Sequence, residues 1–298
     1  MAWAWVSGRY PSMTGERFVG QANRPRAPAT DDPVLYIGWD VGGWEGCHDG
    51  LAVLRWSRAG RLERCGQPKR LRLRESIAKR EFSIASLLKA CDAPGSWGRV
   101  VVGIDAPLGW PVEFARLIRG GLSDRGGYVP GPGGEIENRL AYRLCDRVIY
   151  RRCRKKPLSA AFDRLGGNAS KAMVGCRLLS ASDGAVLVPQ GGVAGRVTLC
   201  EAYPALWKEG TSRKGCVCSE ALAVLGRDDL PEPGTDELDA VLCALTAACY
   251  DNQADGLGKP LPELYLPEDE WAASEEHGVA ELVAQEGWAY FPKSALHT

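Results

Sequence analysis

The sequence predicts an α/β domain built on a mixed sheet, with helices on both faces and a helical insertion before the last strand. Three observations carry this. Short apolar runs follow one another early in the chain. A near-continuous apolar run, Val100-Val-Val-Gly-Ile-Asp105, has the character of a central strand covered on both sides. Segments with helical spacing then alternate with further strands.

Val34-Leu-Tyr-Ile-Gly-Trp-Asp40 is the first strand, ending on an acid and a Gly-rich turn, Val41-Gly-Gly43. Leu51-Ala-Val-Leu-Arg-Trp56 is the second, and a third is expected over residues 61–65 or 69–73. Connections this short suit antiparallel hairpins. Residues 76–90 have helical spacing, with Ile77, Ile84, Leu87 and Leu88 on one face. After the central strand a region of about 111–195, rich in helix signals and Gly loops, forms the insertion. Val197-Thr-Leu-Cys-Glu-Ala-Tyr203 is a strand stopped by Pro204. Residues 235–250 form a helix with Thr235 as its N-cap and Asp236 and Glu237 in its first turn. This order, three strands, helix, strand, insertion, strand and helix, is the RNase H-like order. Residues 1–33 read as a disordered or loosely attached extension, 34–251 as the domain, and 252–298 as an acidic, Pro-rich tail packing on it, with a short helix near 275–285.

The 298 residues carry 37 basic and 37 acidic side chains, so net charge selects no partner. Basic residues crowd 61–80 and 139–156, a distribution compatible with nucleic acid, DNA or RNA, and equally with solvated helix faces. Eleven cysteines and three histidines give no pair of zinc-finger spacings. Cys91, Cys145, Cys200, Cys243 and Cys249 fall in expected strands and helices and read as small buried apolar residues. Free thiols in number fit a reducing compartment, and no apolar run reaches the ~18 residues of a bilayer span. The expectation is a cytoplasmic protein without a membrane partner; nothing reads as an oligomer interface.

Four acids stand at special places. Asp40 ends the first strand, Asp105 ends the central strand, Glu201 lies in the last, and Asp239 sits in the closing helix. Strand alternation puts Glu201 on a face with Val197 and Leu199, where a carboxylate is costly unless paired or bound to a cation. On the closing helix Asp239 is flanked by the small residues Ala240, Cys243 and Thr246, which permit close approach to a sheet. Clustered carboxylates repel one another and are relieved by Mg2+ or Mn2+, which take oxygen ligands and keep positions open for water and phosphate. Two such ions ~3.5–4 Å apart can serve phosphodiester hydrolysis. The expected catalytic residues are Asp40, Asp105, Glu201 and Asp239, with Asp40, Asp105 and Asp239 as metal ligands.

Arg139, Arg143, Arg147, Arg151 and Arg154 recur at helical spacing. Such a stripe, with Arg143, Arg147 and Arg151 as substrate-binding residues, suits successive phosphates; a solvated helix face would show the same pattern. Residues 120–134 are too Gly-rich for regular structure and read as a lid or a plain linker. Trp39, Trp44 and Trp110 lie beside the acids and are either base-stacking or core residues.

Tyr36-Ile-Gly-Trp-Asp-Val-Gly-Gly-Trp44, Gly103-Ile-Asp-Ala-Pro-Leu-Gly-Trp-Pro111, Arg143-Leu-Cys-Asp146, Glu201-Ala-Tyr-Pro-Ala205 and Asp236-Glu-Leu-Asp-Ala-Val-Leu-Cys-Ala-Leu-Thr-Ala247 resemble the motifs of domain-of-unknown-function family 429. That resemblance implies an RNase H-like fold and a predicted nuclease. RNase H-like nucleases place acids at the first strand, the central strand and the closing helix, matching Asp40, Asp105 and Asp239. Glu201 belongs to the family's own Glu-Ala-Tyr-Pro motif. The leading functional expectation is metal-dependent hydrolysis of nucleic acid. The alternative is a non-catalytic binding or regulatory module whose acids are satisfied by Arg143 or backbone donors. Asp40-Val-Gly-Gly43 also resembles the phosphate loop of actin-like and sugar-kinase phosphotransferases, a third reading that the Ala-Pro-Leu-Gly after Asp105 does not continue.

Overall fold

The structure is a computed structural model that describes residues 33–45, 48–121, 135–163, 165–190, 194–209, 216–226, 230–273 and 278–297. The expected N-terminal extension and most of the Gly-rich lid or linker therefore lie outside the described residues.

The described chain is a mixed α/β protein. Its strands are β1 (Val34–Asp40), β2 (Asp49–Trp56), β3 (Leu62–Arg64), β4 (Lys69–Leu71), β5 (Arg99–Asp105), β6 (Val186–Val188), β7 (Val197–Ala202), β8 (Leu264–Tyr265) and β9 (Ala289–Pro292). They form one sheet in the order β3-β2-β1-β5-β7-β9-β8, with β4 also on β2 and β6 also on β7. β1, β2 and β3 are antiparallel neighbours, whereas β1-β5, β5-β7 and β7-β9 are parallel. Both candidates for the third strand are realised, as β3 and β4 on the same partner strand.

The helices are α1 (Arg74–Ala78), α2 (Ile84–Ala90), α3 (Val112–Ile118), α4 (Leu144–Cys153), α5 (Gly166–Asp183), α6 (Ser219–Leu225), α7 (Asp236–Asp255), α8 (Pro267–Ala273) and α9 (Val279–Glu286). The single helix expected over 76–90 is two. Arg80 takes a left-handed backbone, and Ser83 opens a new helix by accepting from the Ser86 amide at 3.2 Å, while Ser86 Oγ accepts from the Ser83 amide at 2.9 Å. The local capping chemistry overrides the shared apolar face, although Ile77, Ile84, Leu87 and Leu88 are all buried.

The sheet divides two cores. On one face Tyr36 and Val101 meet Leu238, Leu242 and Leu245 of α7, together with α4, α9 and Trp288. On the other, Leu35, Ile37, Val100 and Val102 meet α2 and α5 through Leu87, Leu88, Ala172 and Leu179. Cys91, Cys145, Cys200 and Cys249 serve within these cores as small apolar side chains, and Cys243 is buried as well. Residues 264–292 do more than cover the domain as a tail, because β9 pairs in parallel with β7 and carries β8 at the sheet edge. Among the described residues no helix is long and apolar enough to cross a membrane.

α7 sets the site geometry. Thr235 caps it as expected, accepting from the Leu238 amide at 3.2 Å, and it runs on to Asp255, where Gly256 takes a left-handed backbone (φ +60°). It lies directly on a floor of glycines. A Cβ on Gly38 would stand 1.7 Å from the Ala240 carbonyl oxygen, on Gly50 1.9 Å from that of Asp236, and on Gly103 2.1 Å from that of Cys243. Backbone meets backbone at each point, so no side chain can swing aside. Gly103→Ala is expected to push α7 off the sheet and to lower the unfolding free energy by about 3 kcal/mol, the upper end of ordinary overpacking. Urea denaturation measures this; an unchanged midpoint would mean that the helix can slide.

Candidate functional site

β1 and β5 run in parallel and in register, with Asp40 opposite Asp105. Strand alternation sends Tyr36, Gly38 and Asp40, and likewise Val101, Gly103 and Asp105, to the α7 face. The two carboxylates therefore leave the same edge of the sheet on the same side, on strands spaced by roughly 4.8 Å. Both are partly exposed. Asp239, in the first turn of α7, comes down from above, and the glycine floor brings it close. Cys243, one helical turn further on, registers the convergence. Burial pushes its thiol pKa well up, and the charges of Asp105, Asp40 and Asp239 push it further.

Asp239 does not face the site with a bare charge. It is ion-paired with Lys208, whose side chain is only 4% exposed. Lys208 follows the 3-10 turn Pro204–Trp207, which is fixed because Trp207 Nε1 donates to Thr246 Oγ1 on α7 at 2.9 Å. A backbone bridge to Val217 holds Lys208 from the other side. Lys155 lies nearby, its Nζ donating to the Ala205 carbonyl at 2.6 Å. Burial lowers its pKa, Lys208 lowers it further, and Asp239 opposes both.

Glu201 is elsewhere. It pairs with Ile104, one residue short of Asp105, and so projects to the face opposite the aspartates. Cys176 of α5, on that other face, accordingly senses its charge. Glu201 is also fully engaged. Arg143 donates to it through Nη1 at 2.8 Å and Nη2 at 2.7 Å, and the Leu108 amide donates at 2.9 Å. The same guanidinium binds Asp146 through Nε at 3.1 Å and Nη2 at 3.0 Å, while the Arg143 amide donates to Asp146 Oδ2 at 2.9 Å. Burial works to discharge this arginine, but Asp146 and Glu201 outweigh it and its pKa is raised. Glu286, at the end of α9, completes the network by accepting from the Val112 amide at 2.7 Å and the Leu144 amide at 2.6 Å. Burial raises its carboxyl pKa, against those two amides and Arg147 and Arg143. The network clamps both ends of the connection from Asp105 to α3, through the amides of Leu108 and Val112. Glu201 is thus a positioning residue for the segment that carries Asp105.

A second buried ion pair fixes the turn after Asp40. Asp49 accepts from Lys171 Nζ at 2.7 and 2.9 Å, from Trp39 Nε1 at 3.0 Å, and from the amides of Gly42 at 3.1 Å and Leu73 at 3.0 Å. Neither side chain is exposed. Sequence reasoning missed this pair. Asp49 precedes the apolar part of β2, and Lys171 sits among Ala169, Ala172 and Cys176 on a buried face of α5. A lysine inside so small-sided a helical face was the available signal.

The arginine stripe does not form. α4 begins only at Leu144, so Arg139 lies before the helix and Arg143 is its N-cap. Arg143 and Arg147 are buried, 2% and 3% exposed, whereas Arg139, Arg151 and Arg154 are exposed. Regular spacing predicted one face, but the buried acids Asp146, Glu201 and Glu286 draw the first turn inward. Arg143 and Arg147 thus belong to the interior, and Arg151 alone of the three expected substrate contacts faces solvent. Trp39 is a core residue; Trp44 Nε1 donates to Ser170 Oγ at 2.8 Å, and Trp110 stands 5.9 Å from Phe114, ring centre to ring centre.

Among the described residues no three His, Cys, Asp or Glu side chains converge on one point as a ready metal cluster. Two do sit side by side, Asp40 and Asp105, and carboxylate oxygens are the donors that a hard divalent cation prefers. Magnesium in particular is commonly held by one or two carboxylates, with water and substrate oxygens filling its other positions. The pair fits such an ion, and Asp239 is ion-paired with Lys208.

Fold and site together define a mixed α/β protein with two carboxylates at the adjoining ends of parallel strands and a third borne by a crossing helix. The chain belongs to the family described as protein of unknown function (DUF429), whose model matches residues 38–208, more than half of its length. The matched stretch includes Asp40, Asp105, Arg143, Asp146, Glu201 and Lys208, and stops before Asp239 and Glu286. Neither a curated protein nor a solved structure matches the chain significantly.

Proposed function

We propose that this protein is an RNase H-like, metal-dependent phosphodiesterase acting on nucleic acid, with Asp40 and Asp105 holding magnesium or manganese. The observation that carries the reading is the in-register placement of these two carboxylates on one side of the sheet edge. The fold assignment is supported by the strand order, the antiparallel β3, β2 and β1 followed by the parallel β5, β7 and β9, with α7 packed over β1, β2 and β5. When bound, a divalent cation would polarise a phosphoryl oxygen and lower the pKa of a water ligand.

The chain's own residues have separate tasks in this reading. Asp40 and Asp105 supply negative oxygens at the sheet edge. The Asp49–Lys171 pair and the Arg143–Glu201–Glu286 network fix the turns that follow those two acids, so their side chains are pre-aimed. Lys208 lends a fixed positive charge beside Asp239. Incubation of the purified protein with single- and double-stranded DNA and RNA is expected to show cleavage with Mn2+ or Mg2+ and none in excess EDTA. Cleavage that persists in EDTA, or none with any of these substrates and metals, rejects the proposal.

The ion pairs Lys208–Asp239 and Arg143–Glu201 favour one other reading, a non-catalytic binding module in which buried acids are satisfied by the chain itself. Salt-dependent nucleic-acid binding without turnover distinguishes it.

A further inference from the structure

We propose that Trp110, Phe114 and Phe162 form a stacking surface for unpaired nucleobases beside the carboxylate edge, which makes single-stranded nucleic acid the ligand; the inference rests on the nucleic-acid reading above. Trp110 lies five residues past Asp105, and Phe114 follows in the first turn of α3. Their ring centres are 5.9 Å apart, and Phe114 meets Phe162 edge-on at 5.8 Å. One exposed ring would need no explanation, but three in contact make a continuous ridge. Its outer member, Phe162, is 60% exposed. The turn that carries Phe162 is tied down. Ser159 Oγ donates to the Ala141 carbonyl at 2.6 Å and accepts from the amides of Ala161 at 3.2 Å and Phe162 at 3.1 Å. Asp163 in turn accepts from the Ser159 amide at 2.6 Å. A ring presented this rigidly loses little conformational freedom when a flat ligand stacks on it.

The ridge borders the edge of the sheet where Asp40 and Asp105 end their strands. Glu201 and Glu286 hold the amides of Leu108 and Val112, so the stretch carrying Trp110 and Phe114 is fixed to the end of β5. Phe162 stands four residues before α5, whose first turn packs on the turn after Asp40. A Cβ on Gly167 would lie 3.8 Å from the Gly43 Cα, and Ser170 Oγ accepts from Trp44 Nε1 at 2.8 Å. The Phe114–Phe162 contact therefore joins the connection leaving Asp105 to the segment that reaches the turn after Asp40. In open α/β sheets, ligands bind outside this carboxyl end of the strands. Charge selects the occupant. The connection that ends at Phe162 starts with three consecutive cations, Arg154, Lys155 and Lys156. Arg154 is exposed, and Lys156 is 47% exposed between Glu135 and the Tyr142 ring. Lys155 donates to the Ala205 carbonyl, three residues before Lys208. Cations leading to a row of rings supply the two parts of a single-strand site, phosphate attraction and base stacking. An apolar protein face would have to strip water from these cations, a cost that a phosphate backbone repays. A duplex keeps its base faces in its own stack and leaves the ridge unused.

Fluorescence anisotropy of the full chain with labelled strands of about 12 nucleotides, in low salt and excess EDTA, measures binding apart from cleavage. The wild type is expected to bind a single strand about tenfold more tightly than the same sequence as a duplex, or than an abasic strand with the same phosphates. Phe162→Ala is expected to weaken single-strand binding by about tenfold, within the usual worth of one stacked base, and to leave abasic-strand binding unchanged. Phe162→Trp is expected to restore the affinity. Because Phe162 is exposed, both variants are expected to melt with the wild type. No binding to any strand, equal binding of single strand and duplex or abasic strand, or an unaltered affinity in Phe162→Ala overturns the stacking surface. So does sedimentation showing wild-type dimers that Phe162→Ala separates, which would make the ridge a contact between copies of this chain. After any of these results, Mn2+-dependent cleavage of duplex by the same wild type would leave the phosphodiesterase reading in place. Selective single-strand binding with no cleavage under any metal would instead reject the catalytic reading and keep the ridge as the surface of a binding module.

Discussion

Asp105→Asn is expected to reduce metal-dependent cleavage by about three orders of magnitude, equivalent to roughly 4 kcal/mol of transition-state stabilisation. The substitution keeps the shape of the side chain and removes the charge. Asp105 sits at a partly exposed strand end, where an isosteric amide is tolerated, so unfolding is expected to stay close to wild type. The pairing of a lost rate with a retained melting temperature is what separates a ligand from a structural acid. Asp40→Asn should behave in the same way. If either variant cleaves at the wild-type rate, the in-register pair is not the metal site. If either melts early, its acid has a structural role instead.

Arg143→Met is expected to give the opposite signature. Its guanidinium holds Glu201 and Asp146 at once, and all three are buried. Removing one partner from a buried ionic group leaves uncompensated charge and costs about 3–5 kcal/mol. Denaturant unfolding should show that loss, and Arg143→Met combined with Glu201→Gln should recover part of it, because one of the stranded charges is then gone. A loss under about 1 kcal/mol would mean that water reaches the network. Activity should fall in Arg143→Met only through displacement of the segment after Asp105, and Glu201→Gln alone should not alter Mn2+ stoichiometry.

The contrast between these variants shows where sequence reasoning reached and where it stopped. The strand ends at Asp40 and Asp105, the apolar character of β5 and the capped start of α7 are local properties, and each is legible from residue type and period. The register that sets Asp40 beside Asp105 follows once two apolar strands of equal length are placed in parallel. The small residues of α7 likewise announce a close approach, and the glycine floor under them bears this out.

What escaped was the choice of partner. Period alone placed Arg143, Arg147 and Arg151 on one stripe, but the Arg143 guanidinium turns inward to two buried carboxylates, Asp146 three residues on and Glu201 of β7, far along the chain. Glu201 was legible as a carboxylate on an apolar face that needed a countercharge. Which countercharge, metal or arginine, depended on its lying one residue out of register with Asp105. Lys208 gave still less local signal, since a lone lysine reads as surface until the fold buries it. The short strands β6, β8 and β9 are two to four residues long, too brief for any period to show.

The central claim is that Asp40 and Asp105 jointly hold a divalent cation. Anomalous X-ray scattering from a Mn2+-soaked crystal measures this most directly. A strong anomalous peak is expected within ligand distance of carboxylate oxygens of both Asp40 and Asp105. Electron density showing the two carboxylates apart, or the only manganese bound away from them, would contradict it.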